Sequence, residues 1–265
     1  MKRSFPLEFF YQAGSLVVAA VLVHAVYVAM VRPRAHDILV EQAQRMEQEA
    51  DFVAERSVWV LVQDFEQETC FILMLWAIAI IAFKWQLSAR EHRLLDRDLV
   101  PISEGIRILP EDTREFARQL EALPEIEGQS LLPRVLLTGL HRFRATRSIQ
   151  GVSEVVHTLC ASEAERLESE LSMVRYIAWA IPSIGFIGTV RGIGDALAQA
   201  HRAVQGDIAG VTQSLGVAFN STFIALVLSI VLMFALHQLQ LVQERLVFET
   251  EGYAERRLIS HLQVH

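Results

Sequence analysis

Four stretches of this chain are apolar and almost free of charge, and they decide what it can become, because runs of that length must leave water. A bilayer core about 30 Å thick is crossed by roughly 20 apolar helical residues. Phe9 to Val31 carries no formal charge and contains the dense run Ser15 to Val23. Cys70 to Phe83 is shorter, closed by Lys84, which can snorkel, with Trp76 and Trp85 suited to an interface. Tyr176 to Val190 lies between Arg175 and Arg191, and Ile208 to Gln243 is uncharged throughout, densest from Phe223 to Leu236. Lys2 and Arg3 also fit the start of a cleaved signal. The run that follows is long for a signal core, and no small-residue cleavage site stands out before Arg32, so it reads as a retained anchor. The expected fold is an all-α integral membrane protein with four transmembrane helices, from which long helices extend into the cytoplasm.

Between the spans lies a large aqueous part. Charged residues make up 21% of the 265, too many for a chain lying wholly in lipid, while 52% are hydrophobic. The net charge of -7 argues against nucleic acid as a partner. Cys70 and Cys160 are too few for a disulfide scaffold or a structural zinc site. There is no phosphate-binding Walker loop, no His-Glu-x-x-His, no Gly-x-Ser-x-Gly and no Cys-x-x-Cys, so an enzyme lacks its residues and no cofactor is expected.

Basic residues set the orientation. Arg32 to Glu68 holds four arginines against nine carboxylates, whereas the segment after Lys84 carries arginines from Arg90 to Arg166. This places both termini and the 84–175 segment on the cytoplasmic side of the membrane. The expected divisions are 1–35 with the first span, 36–68 as an acidic helical outer connection, and 69–86 as the second span. A cytoplasmic helical domain follows at 87–172, then the third and fourth spans at 173–243 and a cytoplasmic tail at 244–265.

The outer connection, His36 to Gln67, has no Gly or Pro, and Leu39, Ala43, Met46, Ala50 and Val53 recur at helical spacing. In the inner segment Pro101, Pro110, Pro124 and Pro133 punctuate the chain. Pro110-Glu111-Asp112 is a good helix start, with Phe116, Leu120 and Leu123 on its packing face. A second helix is expected near Pro133, and from Ser148 the pattern reads as one unbroken helix into the third span.

The third span reads Ile181-Pro182-Ser183-Ile184-Gly185-Phe186-Ile187-Gly188-Thr189-Val190-Arg191-Gly192, and the fourth contains Ala218-Phe219-Asn220-Ser221-Thr222. Pro182 frees a backbone carbonyl and bends its helix. Gly185, Gly188 and Gly192 permit close helix packing. Thr189, Asn220, Ser221 and Thr222 place hydroxyls and an amide inside apolar segments. Any one of them alone would simply bond back to its own helix, but four on adjoining helices beside glycines point to a polar seam. No Asp or Glu lies in the centre of a span. His24 is the one deep titratable group, and a lone imidazole there reads as packed or interfacial. An unpaired Arg191 is expected to snorkel or to pair with Asp195 or a partner's carboxylate.

These two stretches resemble the MotA/TolQ/ExbB proton channel family, over about residues 150 to 245. Pro182, the run Gly188-Thr189-Val190-Arg191-Gly192-Ile193 and the Ala218-x-x-x-Thr222 pair fall on the family's motif positions. The resemblance implies a homopentamer around two helices of a single-span partner of the ExbD/TolR/MotB type, whose membrane Asp carries the proton past Thr189 and Thr222. It further implies a channel subunit of an ion-driven motor, coupling proton motive force to mechanical work or energised transport. Val217 stands where one branch of the family commonly has a Glu, and the long acidic outer connection is unlike the short hairpin of flagellar stators. A non-conducting scaffold of an envelope complex is the alternative. A transporter with a midplane substrate site lacks both an internal repeat and a buried charged contact.

Overall fold

The structure, a computed structural model, describes residues 5–48, 57–100, 107–205 and 208–264. Among these residues the architecture is all-helical, with one isolated parallel bridge between Ile108 and Leu262. Four helical stretches are long and apolar enough to cross a membrane: Phe9–Gln42, Phe65–Leu95, Ile149–Ala198 and Ala209–His261. Each contains one of the apolar segments read from the sequence. The chain divides into two compact units, one from Met1–Ile81 with Met173–Leu236 and one from Ala82–Ser172 with His237–His265.

In the first unit α1 (Phe5–Val26) passes through a π-helical turn, Tyr27–Val31, into α2 (Arg32–Gln48). Proline explains the turn. Pro33 has no N–H to give to the carbonyl four residues back, and Arg32 donates instead to the Tyr27 carbonyl, five residues back. Beyond α2 the outer connection is not one helix. A short α3 (Val58–Leu61) stops at Val62, and α4 (Phe65–Leu95) starts afresh. Asp64 causes the restart: its backbone N–H bonds the Gln67 side-chain oxygen at 2.9 Å, one half of a capping box. Of the apolar face expected here, Ala50 and Val53 lie outside the described residues, as does Pro101 in the inner segment. Val23, Tyr27 and Val31 pack with Trp59, Val62, Phe71 and Ile72. Tyr11 donates to the Ala79 carbonyl at 3.1 Å and Trp76 to the Gln12 carbonyl at 2.9 Å, tying α1 to α4.

The second unit is built from α5 (Thr113–Glu121), α6 (Glu125–Gly128), α7 (Leu131–Thr146) and α8 (Ile149–Glu170), with parts of α4 and of the last helix. The Pro110-Glu111-Asp112 start forms as expected. Asp112 accepts from the Leu109 N–H at 3.2 Å and Thr113 donates to the Pro110 carbonyl at 2.8 Å. Ser148 caps α8 by accepting from the Gly151 N–H at 3.1 Å. Leu120, Leu136, Leu140, Phe143, Val152 and Leu258 meet in its core. Gly139 lets this packing close, since a Cβ there would stand 3.0 Å from Leu258 and 3.3 Å from Val152.

The helix expected to run unbroken from Ser148 into the third span is interrupted at one residue, Leu171. There the N–H bonds the Glu168 carbonyl, a three-residue tightening that ends α8 and accompanies complete burial of Leu171. Then α9 (Ser172–Ala198) begins, followed by α10 (Ala200–Val204) and α11 (Ala209–Arg257).

Charges inside the second unit are paired in a chain. Lys84, 2% exposed, donates to Glu170 at 2.6 Å; Arg166 joins Glu170 at 3.0 Å and Glu163, and Arg134 reaches Glu163 at 2.9 Å. Burial alone would raise the Glu163 carboxyl, but hydrogen bonds from Arg166 and Arg134 outweigh it and hold the group below the usual range. Burial also pushes the Cys160 thiol up to about 11, leaving it neutral and unreactive near neutral pH.

Phe143 is fully buried where α7 enters this core. Phe143→Ala is expected to lower the stability of the detergent-solubilised protein by about 3–5 kcal/mol, read as a drop in the thermal unfolding midpoint.

Candidate functional site

The site begins with what α9 lacks. A Cβ at Gly185 would lie 2.5 Å from the Ala225 Cβ, one at Gly188 2.5 Å from the Ser221 Cβ, and one at Gly192 2.7 Å from the Ser214 carbonyl. Real Cβ atoms do not approach that closely. The spacing of three and then four residues puts these glycines on one face of α9, and Ala218, Ser221 and Ala225 present small side chains on the facing side of α11. Backbone therefore meets near-backbone along this line.

Close approach brings hydroxyls within reach of the neighbouring helix. Thr189 and Thr222 are half-buried and share a short hydroxyl–hydroxyl hydrogen bond. Thr222 also lies 3.0 Å from the Gly185 carbonyl, and Thr189 lies 3.1 Å from the Ala218 carbonyl and 3.3 Å from that of Gly185. Pro182 sits inside α9 and cannot donate to the carbonyl of Ala178. Ser229 of α11 donates to that oxygen at 3.1 Å, so the neighbouring helix supplies the bond that the proline removes. Sequence reading had not singled out Ser229, although it continues the row of Ala218, Ser221 or Thr222, and Ala225 at helical spacing.

Ser221 is fully buried, and its Oγ has no hydrogen-bond partner among the described residues. It lies 2.8 Å from the point that a Gly188 Cβ would occupy. Asn220 is different. Its side chain takes part in none of the hydrogen bonds that join the glycine-lined crossing among the described residues, which come from Thr189, Thr222 and Ser229. Of the four polar groups expected in the seam, Thr189 and Thr222 bond each other and Ser221 is buried beside the Gly188 Cβ position.

Charge gathers where α4 begins. Glu66 holds the Arg191 guanidinium through two bonds, 2.8 Å to Nε and 2.9 Å to Nη2, the forked geometry that makes such pairs strong. Asp64 stands 3.6 Å from the same guanidinium. Arg191 thus pairs with the Glu66 and Asp64 carboxylates of its own chain rather than with Asp195. The reason is proximity: the Glu66 Cγ lies 3.3 Å from the Gly188 Cβ position, one turn from Arg191. His24 is not isolated either. Its Nδ1 is 2.7 Å from Glu68, which also accepts from Arg32 at 2.6 Å, and Glu68 is itself buried. Burial raises the Asp64 carboxyl above its ordinary range, with Arg191 opposing. One oxygen of Asp64 is buried without a partner among the described residues, as is the Gln67 amide nitrogen.

Among the described residues no group of three or more His, Cys, Asp or Glu side chains is arranged to hold a metal ion.

Substitution of the glycines separates packing from composition. Gly192→Leu is expected to abolish recovery of monodisperse protein by size exclusion in detergent. Gly194→Ala, where nothing lies within 4 Å, should fold as the parent and gain up to about 1 kcal/mol in thermal stability.

Residues 127–251, which contain α9 and all of α11 but its last turns, match the model of the MotA/TolQ/ExbB proton channel family. No curated protein matches the chain.

Proposed function

We propose, on the premise that residues 127–251 belong to the MotA/TolQ/ExbB proton channel family, that this multi-pass membrane protein is the proton-channel subunit of an ion-driven motor. It resides in the bacterial inner membrane with both termini in the cytoplasm. Five copies surround two helices of a single-span partner of the ExbD/TolR/MotB type, whose membrane Asp binds and releases the proton. The observation that carries the reading is the Thr189–Thr222 hydroxyl pair, held by a glycine-lined crossing within the region that matches the family.

The division of labour follows from chemistry. Hydroxyls near neutral pH do not hold a proton as a charge; they pass one on or solvate a neighbour that does. A carboxylate is the carrier, and the centres of the third and fourth spans contain none. The wall comes from this chain and the acid from the partner. One elementary charge falling through 100 mV releases about 2.3 kcal/mol, enough to drive a rotational step against weak interhelical contacts. The second unit, with its partly buried ion-pair chain, is the part of this subunit that would carry force to a target.

A scaffold without conduction is the second reading, favoured by one feature: the two hydroxyls lie within hydrogen-bond reach of each other and of two backbone carbonyls, as interhelical bonds do in structural bundles. Valine in place of threonine separates the readings, being close in shape and lacking the hydroxyl. Thr189→Val or Thr222→Val is expected to abolish proton flux through the complex in liposomes while leaving its assembly intact. Full flux in the double valine variant would sink the channel reading. Quantitative mass spectrometry of the complex purified through a tag on this chain should return five copies to two of an Asp-bearing single-span protein.

A further inference from the structure

We propose that residues 57–65, which lead from the outer connection into α4, dip into the bilayer, and that Arg34 beside them binds the phosphate of a phospholipid. The inference uses the membrane-spanning character of the first helical stretch and stands apart from the channel reading.

Depth comes first. The apolar run of the first span closes at Val31, and Arg32 and Arg34 follow it. Basic residues in that place mark the level at which a span meets the lipid headgroups. The 57–65 segment does not stay beyond that level. Trp59 and Val62 pack against Val23, Tyr27 and Val31, and Val23 comes eight residues before Val31, about 12 Å deeper along a helix. Val58 to Val62 is five apolar residues without a charge. Packing on the first span still leaves Val58 69% exposed, and Phe65 just beyond it 67% exposed. In water these side chains would stand uncovered beside an acidic connection. Beside a membrane span they meet acyl chains, and Trp59 takes the boundary position that indole rings favour.

Charge comes second. Two guanidiniums lie on the aromatic rings of this segment. Arg32 lies 4.5 Å from the centre of the Phe65 ring and is already held by Glu68 at 2.6 Å. Arg34 lies 4.7 Å from the centre of the Trp59 ring, is exposed, and has no carboxylate partner among the described residues. Stacking on the indole fixes the guanidinium plane and leaves its N–H edge free, a fork that matches two oxygens of a phosphate. A phospholipid presents its phosphate at this level, and the acyl chains that hang from it lie alongside Val58 and Phe65. Free phosphate would meet the same guanidinium and gain nothing from the two apolar side chains.

The test uses the full chain in phospholipid liposomes, spin-labelled through Val58→Cys and, in separate samples, Val21→Cys and Asp37→Cys. The parent, whose Cys70 and Cys160 are buried, gives the background labelling. Val21 is exposed on the first span and Asp37 on α2. Collision with oxygen, which concentrates among acyl chains, and with a water-soluble nickel chelate reports where each label sits. The Val58→Cys label is expected to behave as Val21→Cys does, with high oxygen access and nickel access at least threefold below that of Asp37→Cys. Nickel access equal to that of Asp37→Cys would overturn the placement. Exclusion of both reagents with spin–spin broadening would overturn it too, since that is the mark of a second copy seated on the segment. For the phosphate, the detergent-solubilised protein is titrated with phosphatidylglycerol and followed by native mass spectrometry. Arg34→Gln should weaken the first lipid bound threefold or more, and inorganic phosphate should not compete. Parental affinity in Arg34→Gln, or displacement of the lipid by inorganic phosphate, would overturn the assignment of Arg34 to a lipid phosphate.

Discussion

The contact between α9 and α11 depends on three absent methyl groups. At Gly185, Gly188 and Gly192 a Cβ would stand 2.5–2.7 Å from an atom of α11, so alanine at any of them pushes the helices apart. Every polar bond across the crossing needs that closeness. Ser229 reaches the Ala178 carbonyl, Thr222 the Gly185 carbonyl and Thr189 the Ala218 carbonyl, each at 3.0–3.1 Å. A displacement of about 1 Å would break all three on ordinary distance criteria. Glycine inside a helix costs about 1 kcal/mol relative to alanine in water. In lipid, where apolar burial drives no association between helices, dispersion and hydrogen bonds at close range are what offset it. Proline and glycine therefore act together: Pro182 leaves a carbonyl unsatisfied, and the glycines bring α11 near enough for Ser229 to satisfy it.

The same closeness shapes the electrostatics. Gly188 has no side chain to occupy the space beside Arg191, and Glu66 leans across it. A guanidinium at the end of an apolar helix would otherwise have to stretch to water, and a desolvated one without a counter-charge is strongly unfavourable. Two carboxylates and an arginine near the start of α4 thus settle each other's placement, and His24 and Arg32 do the same for Glu68. The outcome is a cluster in which one carboxylate oxygen, one amide nitrogen and one phenol are buried without partners among the described residues.

What the sequence disclosed followed from distance along the chain. The four apolar stretches and the helix starts at Pro110 to Asp112 and at Ser148 are decided within a turn or two, and they are legible there. The glycine spacing on α9 and the Thr189 and Thr222 positions were legible as a pattern for the same reason. Pairings were not. Arg191 and Glu66 are 125 residues apart, and His24 and Glu68 are 44 apart, so no local rule selects them over nearer candidates such as Asp195. Counting polar residues along α11 included Asn220, which takes part in none of the hydrogen bonds at the crossing among the described residues. The break at Leu171 carries no Gly or Pro to announce it; tertiary burial of that leucine overrode a continuous helical pattern.

A hydroxyl pair that satisfies itself can still serve a pathway, and the reason is arithmetic. Thr189 and Thr222 together own two hydroxyl protons, while the Gly185 carbonyl, the Ala218 carbonyl and each other's oxygen offer more acceptors than that. Several placements of the two protons are then close in energy, separated by rotation about a single C–O bond. Such a group exchanges hydrogen bonds readily and stores nothing. Storage needs a group that gains and loses charge, which neither hydroxyl does. In lipid an uncompensated carboxylate at the crossing itself would need a counter-charge close by, so hydroxyls at that place are the groups that can line a path without a partner charge of their own.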